Sequence, residues 1–248
     1  MVLFKKREDR HGYMRDSNTQ THFDSIAGVY DYTIPVHIQN HYCSKRIRLL
    51  SRFINGGWVC SLGGGTGYLE QQIQKNAPRI ASIDLSFAMC RQGLNKGLRH
   101  VICADAAALP IKNARVSLCY SVATFHHLVE EKRVASAIAE MHRITCPGGT
   151  MVIWDHNPIN PWWRFVMKKM PQDHVDTRIV GNREFMSHLR QLRGTLQHFR
   201  SGWMPEFVPA FLLPLARCIE AMLEKCPIIK NVSAQNVYIL TRERSPHA

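Results

Sequence analysis

The chain has 248 residues, 45% of them apolar, and a formal net charge of +13. That size and composition suit one α/β domain with insertions and exclude low-complexity or collagen-like chains. No apolar run reaches the roughly 18 residues of a membrane span, and the polar residues 1–20 lack the apolar core of an export signal. The eight cysteines include no C-x-x-C pair, which argues against a zinc ribbon and for a reducing, cytoplasmic setting. The basic excess points to an anionic partner (nucleic acid, anionic lipid or a phosphorylated substrate), although a solvated basic surface accounts for it equally well.

In chain order, residues 1–20 read as a flexible polar start and 21–55 as a helical cap with an irregular apolar stripe. WVCSL (58–62) reads as the first strand and 67–75 as the helix behind it. IASID (80–84), HVICAD (100–105) and VSLCYSV (116–122) follow as strands, with helices over 86–95 and 132–145. The third of these is a nearly continuous apolar run, as in strands buried on both faces. CPGG (146–149) reads as a turn, and TMVIWD (150–155) as a fifth strand. Alternating strands and helices predict a doubly wound, mostly parallel sheet with ligands at the carboxyl ends of its strands. Residues 156–235 read as a lid or insertion on the substrate side, with a helix near 182–193, a strand near 195–200 and an apolar helix face within 209–225. A closing strand is expected over 236–242. The whole of 21–248 then forms a single domain with 56–155 as its core.

The most informative stretch is SLGGGTG, residues 61–67. A strand, a glycine-rich turn and a helix N-terminus form a nucleotide site, because unpaired N–H groups point outward there. The spacing fits neither the dinucleotide fingerprint G-x-G-x-x-G nor the P-loop, which needs a lysine. It fits G-x-G-x-G, as Gly63, Gly65 and Gly67. SIDLS, ADAAALP, HHL and EMHRITCPGG follow in order, and HFDSIAGVYD (22–31) precedes. Together these motifs resemble the class I S-adenosylmethionine methyltransferases, in the branch that includes quinone-pathway enzymes. The resemblance covers about residues 20–155. It implies a seven-stranded Rossmann-like sheet, S-adenosylmethionine as cofactor and S-adenosylhomocysteine as product.

The resemblance also implies site roles. Gly63, Gly64, Gly65 and Gly67 bring bare backbone to the cofactor. Asp84, with Leu85 beside it, takes the ribose hydroxyls, though Asp84 could instead cap the helix that starts near Ser86. Asp105 and Ala106 take the adenine. Ser121 lines the methionine part, and Tyr30 closes over it. Ser61 departs from the family, which carries an acid two residues before the first glycine to help hold the cofactor's ammonium. That departure raises the alternative of a non-catalytic protein on the same fold.

For catalysis, a general base helps when the acceptor is a hydroxyl, phenol or enol. His126 and His127 are candidates, with Asp155 and His156 as a second pair, and packing accounts for these residues at least as well. No metal is implied. The acceptor reads as a small molecule or a lipid- or glycan-linked one. Residues 160–200 hold eight Lys/Arg against three Asp/Glu beside Trp162, Trp163 and Phe165, which suits peripheral contact of 160–225 with an anionic inner-membrane surface. An RNA acceptor is the minor alternative, because SVATFHHL lacks the Asn/Asp-Pro-Pro-aromatic motif of base N-methylating enzymes.

Overall fold

The computed structural model describes residues 17–167, 170 and 177–244. Of the polar start, residues 1–16 lie outside the described residues, and 17–20 open the first helix. Among the described residues, seven strands form one sheet: β1 (Val59–Leu62), β2 (Ile80–Asp84), β3 (His100–Cys103), β4 (Val116–Val122), β5 (Thr145–His156), β6 (Gly194–Ser201) and β7 (Gln235–Arg242). Their spatial order is β3-β2-β1-β4-β5-β7-β6. β1 to β5 are parallel, and β7 runs antiparallel to both β5 and β6. The strand order reverses between β1 and β4, so a crevice opens at their carboxyl ends.

The helices are α1 (Ser17–Ile26), α2 (Val36–Leu50), α3 (Tyr68–Gln74), α4 (Phe87–Asn95), α5 (Glu131–Ile144), α6 (Trp162–Val166), α7 (Asn182–Leu189) and α8 (Leu213–Lys225). Strand alternation sorts the core into two layers. Cys119 joins Val134, Ile138 and Met141 of α5 and Phe185 of α7 on one face. Leu118 and Tyr120 join Leu50 of α2 and Leu69 and Ile73 of α3 on the other. Each such side chain stabilises the fold by about 1.5–3 kcal/mol when fully buried.

Two expectations are revised. CPGG is not a turn ahead of a fifth strand but part of β5, whose register with β4 breaks between Val116 and Leu118. Gly148, at φ +76°, allows this irregular stretch. The apolar side chains read as one face of α8 also point largely to solvent: Leu212, Leu215, Ile219 and Met222 are exposed, whereas Leu213 and Glu220 are buried. No helix among the described residues is long and apolar enough to cross a membrane.

Candidate functional site

The site is built at the β1 and β4 carboxyl ends. After Leu62 the chain turns tightly, with Gly64 N–H donating to Ile83 O and Gly67 N–H to Gly64 O. Gly67, at φ +75°, starts α3 in a left-handed conformation that favours glycine. Gly65, at φ +54°, faces open space, with nothing within 4 Å of where a Cβ would stand. A ligand can therefore lie directly on this backbone.

Asp84, at the end of β2, accepts Gly65 N–H at 2.8 Å and Ser86 N–H at 2.9 Å. It ties the turn in place. The cap of α4 is Ser86, whose hydroxyl accepts Met89 N–H. Burial raises the Asp84 carboxyl above its ordinary range, against the pull of those two N–H groups. The HFDSIAGVYD segment docks on the same edge. Asp24 accepts Ser86 Oγ–H and Ala88 N–H, and Asp31 accepts Thr66 Oγ1–H while pairing with Lys96 Nζ at 2.6 Å.

A small cavity of about 100 Å³ is lined by Asp84, Leu85, Asp105, Ala106 and Arg133, with Thr19 and Phe23 of α1 over it. Asp105 already carries a partner that the sequence reading missed. Arg133 Nη2, from the first turn of α5, lies 3.1 and 3.2 Å from its two oxygens. A large cavity of about 840 Å³ lies beyond. Tyr30, Gly63, Gly65, Ala123 and His127 line both. Ala123 was also missed. It sits at φ +52°, unusual for a residue with a Cβ, where β4 ends between the two cavities. Ser121, expected here, lines neither. It faces away from Tyr120, and its hydroxyl is buried without a hydrogen-bond partner.

Ser61 is buried in the large cavity's wall, and its hydroxyl donates to Glu70 Oε1 at 2.6 Å. The Tyr120 hydroxyl donates to the same oxygen at 2.9 Å. An acid thus stands at the glycine turn after all, carried by α3 rather than β1. Burial raises the Glu70 carboxyl, while Ser61 and Tyr120 pull it back. The sequence signal was an acid one turn into a helix that otherwise buries Leu69 and Ile73.

The four proposed catalytic side chains meet, His127 through its ring, which tilts against that of His126 at 4.0 Å. His126 Nδ1 lies 2.9 Å from Asp155 Oδ1. Asp155 also accepts the N–H groups of Thr124, Phe125 and His156. Burial alone would raise its carboxyl, but the charge and hydrogen bond of His126 hold it well below the usual carboxylate range. Asp155 therefore orients His126 through Nδ1. His126 stacks on His156 at 4.2 Å, and His156 on Trp163 at 3.9 Å. Burial, then the charge of His126, pushes the His156 pKa down to about 3. His127 packs edge-on against Phe23 of α1. Donor atoms of His126, Asp155 and His156 lie within 4.8 Å of one another. Rings stacked at 15° do not aim two lone pairs at one ion, and the carboxylate is already saturated.

The HNPINP segment is fastened to residues 231–233. Asn157 Nδ2 donates to the carbonyls of Asn231 and Ser233, Asn160 Nδ2 to Val232 O, and Trp163 Nε1 to Ala234 O. This holds Trp163 and Val166 over the large cavity.

Comparison with known proteins agrees with this architecture. The family described as "Methyltransferase domain" matches residues 60–153. Over that stretch the chain is similar to methyltransferase domains. It is 32% identical over 108 residues to the malonyl-[acyl-carrier protein] O-methyltransferase of Hamiltonella defensa, covering 43% of this chain and 41% of that one. It is 25% identical over 196 residues to the probable tRNA methyltransferase 9B of Homo sapiens, covering 78% of this chain and 41% of that one. The chain thus spans about two fifths of the length of these curated relatives. A solved SAM-dependent methyltransferase of Thermotoga maritima, described as a possible histamine N-methyltransferase, superposes with a TM-score of 0.67 at 15% identity over 91% of this chain and all of that one. This likeness shows the shared fold.

Proposed function

We propose that this chain transfers a methyl group from S-adenosylmethionine to a largely apolar acceptor held in the large cavity. The observation that carries the reading is the wall shared by the two cavities. The residues present fit the cofactor. Asp84, Leu85, Asp105 and Ala106 would hold the adenosine, and the bare Gly63–Gly65 backbone would meet the methionine end. Glu70 and Arg46, both on the large cavity's wall, offer one group of each sign to the ammonium and carboxylate there. When bound, S-adenosylmethionine supplies an already activated methyl group, which passes in line to a nucleophile. The small cavity, at about 100 Å³, is smaller than the roughly 300–1,000 Å³ of ordinary ligand sites because α1 stands over it. Adenosine would therefore fit only if α1 moved.

The large cavity's walls include Trp154, Trp163, Val166, Met170, Met204 and Phe207, so the acceptor presents an apolar body. His126, held by Asp155, takes the proton that a hydroxyl, phenol or enol acceptor loses as it is methylated. Titration calorimetry with S-adenosylmethionine and S-adenosylhomocysteine tests the reading. Micromolar binding of both supports it, and no binding by the wild type makes the chain a non-catalytic protein on this fold. A second reading, methylation of RNA, is favoured by the +13 charge and by the likeness to a tRNA methyltransferase. Steeply salt-dependent binding of RNA would move it ahead.

A further inference from the structure

We propose that the outward face of α8, with the segment leading into it, docks on an anionic lipid bilayer. The inference rests on the reading of the large cavity as an acceptor site, because both share the Phe207 rim.

A surface helix ordinarily turns its apolar stripe inward and its charges outward. α8 does the reverse. Its two acids face the protein. Glu220 accepts from His41 Nε2 at 2.7 Å, Lys45 Nζ at 2.9 Å and Trp203 N–H at 2.9 Å. Glu224 accepts from Lys45 Nζ, Ser201 Oγ–H and Gly202 N–H. Burial would raise the Glu220 carboxyl, yet His41 and Lys45 hold it down to about 2. The acidic edge is therefore consumed by internal pairing.

The opposite edge is apolar and bare. Leu215 is 59% exposed, Ile219 44% and Met222 64%, and with Leu212 they recur at i, i+3, i+7 and i+10. Phe207, Phe211 and Ile228 extend the patch at 73–82% exposure. Contiguous apolar surface of this kind marks an interaction site. The occupant is indicated by charge. The exposed charged residues of 207–231 are Arg217, Lys225 and Lys230, with no acid among them. A leucine, isoleucine and methionine stripe flanked by cations fits the boundary of an anionic bilayer, where the apolar face sinks and the cations meet headgroups. RNA would call instead for aromatic stacking surfaces along a basic groove.

Position adds the second argument. Phe207 and Trp162 both line the large cavity and both reach solvent, with ring centroids 6.2 Å apart. Phe207 lies four residues before Phe211 and six before the start of α8. The cavity rim and the helix face are continuous, so an acceptor dissolved in the bilayer enters without crossing water.

The test is co-sedimentation of the full chain with vesicles of mixed phosphatidylglycerol and phosphatidylcholine, against pure phosphatidylcholine. The wild type is expected to pellet with the anionic vesicles and to be released by salt. The double variant Leu215→Glu, Ile219→Glu removes two aliphatic side chains from the bilayer contact and should weaken this by about 100-fold or more. The same variant should bind S-adenosylhomocysteine like the wild type, which separates failure of docking from failure of the methyl-transfer reading. A polarity-sensitive label on Cys218, the exposed cysteine on this helix, should report a drier environment only with anionic vesicles. The proposal is overturned if the wild type stays in the supernatant or if the double variant pellets equally. It is also overturned if light scattering shows a wild-type dimer that the variant abolishes, because the face then joins two copies of the chain.

Discussion

Replacing Glu70 with glutamine should lower cofactor affinity and raise stability together. Glu70 is 3% exposed, and the hydroxyls of Ser61 and Tyr120 donate to its Oε1. Glutamine keeps an oxygen at that position and loses only the charge. If the carboxylate receives the cofactor's ammonium, the loss is one charge-assisted hydrogen bond, about 1.5–3 kcal/mol. That corresponds to a roughly 10- to 150-fold weaker Kd for S-adenosylmethionine by calorimetry. Stability should move the other way, because burial raises the Glu70 carboxyl and the ionised form therefore costs free energy in the folded state. Each 1 kcal/mol recovered would raise Tm by roughly 2–4 °C in a chain of this size. The sign fixes the pH window. A folded-state pKa above the unfolded value means that the penalty is complete above the folded pKa and vanishes below the unfolded one. The variant's advantage should thus be present at neutral pH and disappear on acidification to about pH 4.5. Wild-type affinity in Glu70→Gln would refute the assignment of Glu70 to the missing acid, whatever its Tm.

Other outcomes follow from the same geometry. Asp84→Asn leaves one oxygen for the two N–H groups of Gly65 and Ser86 and removes the charge facing the small cavity. Calorimetry should show S-adenosylhomocysteine binding weakened by about 10-fold or more, and unchanged binding would return Asp84 to a purely structural role. His126→Gln should lower kcat by about 10²–10⁴-fold on a hydroxyl acceptor, with cofactor affinity preserved. An unchanged kcat would leave His126 as packing. His156 stays neutral in the fold, with a pKa of about 3, whereas the unfolded chain binds a proton below about pH 6.5. Stability is therefore lost as pH falls from 6.5 toward 3, by about 2 kcal/mol at pH 5. His142 and His198 are also pushed down by burial, so the diagnostic is a difference in urea unfolding. His156→Phe keeps the ring stack and should be less acid-labile than the wild type by that amount; equal slopes would count against the buried neutral histidine.

The glycine turn and the strand–helix alternation were legible because both are local. G-x-G-x-G requires backbone that only glycine supplies, and apolar runs of strand length announce a sheet buried on both faces. Asp84 and Asp105 could be placed at strand ends for the same reason, and His126 and Asp155 could be named, although their pairing could not. Other assignments depended on which side chains converge from distant segments. Ser61 looked like a lost acid until α3 brought Glu70 within 2.6 Å of it. Ser121 looked like a site residue until the pleat turned it away and left Ala123 at the junction of the cavities. Arg133 reached Asp105 from a helix 28 positions along the chain. The stripe on α8 shows the limit most clearly. Periodicity identifies an apolar face, but whether that face meets a core or a partner depends on what packs opposite. Here His41 and Lys45 of α2 claimed the acidic edge and left the apolar one to solvent. Local spacing thus determined the fold and the glycine turn, and tertiary packing decided the charges, the large cavity and the face left uncovered.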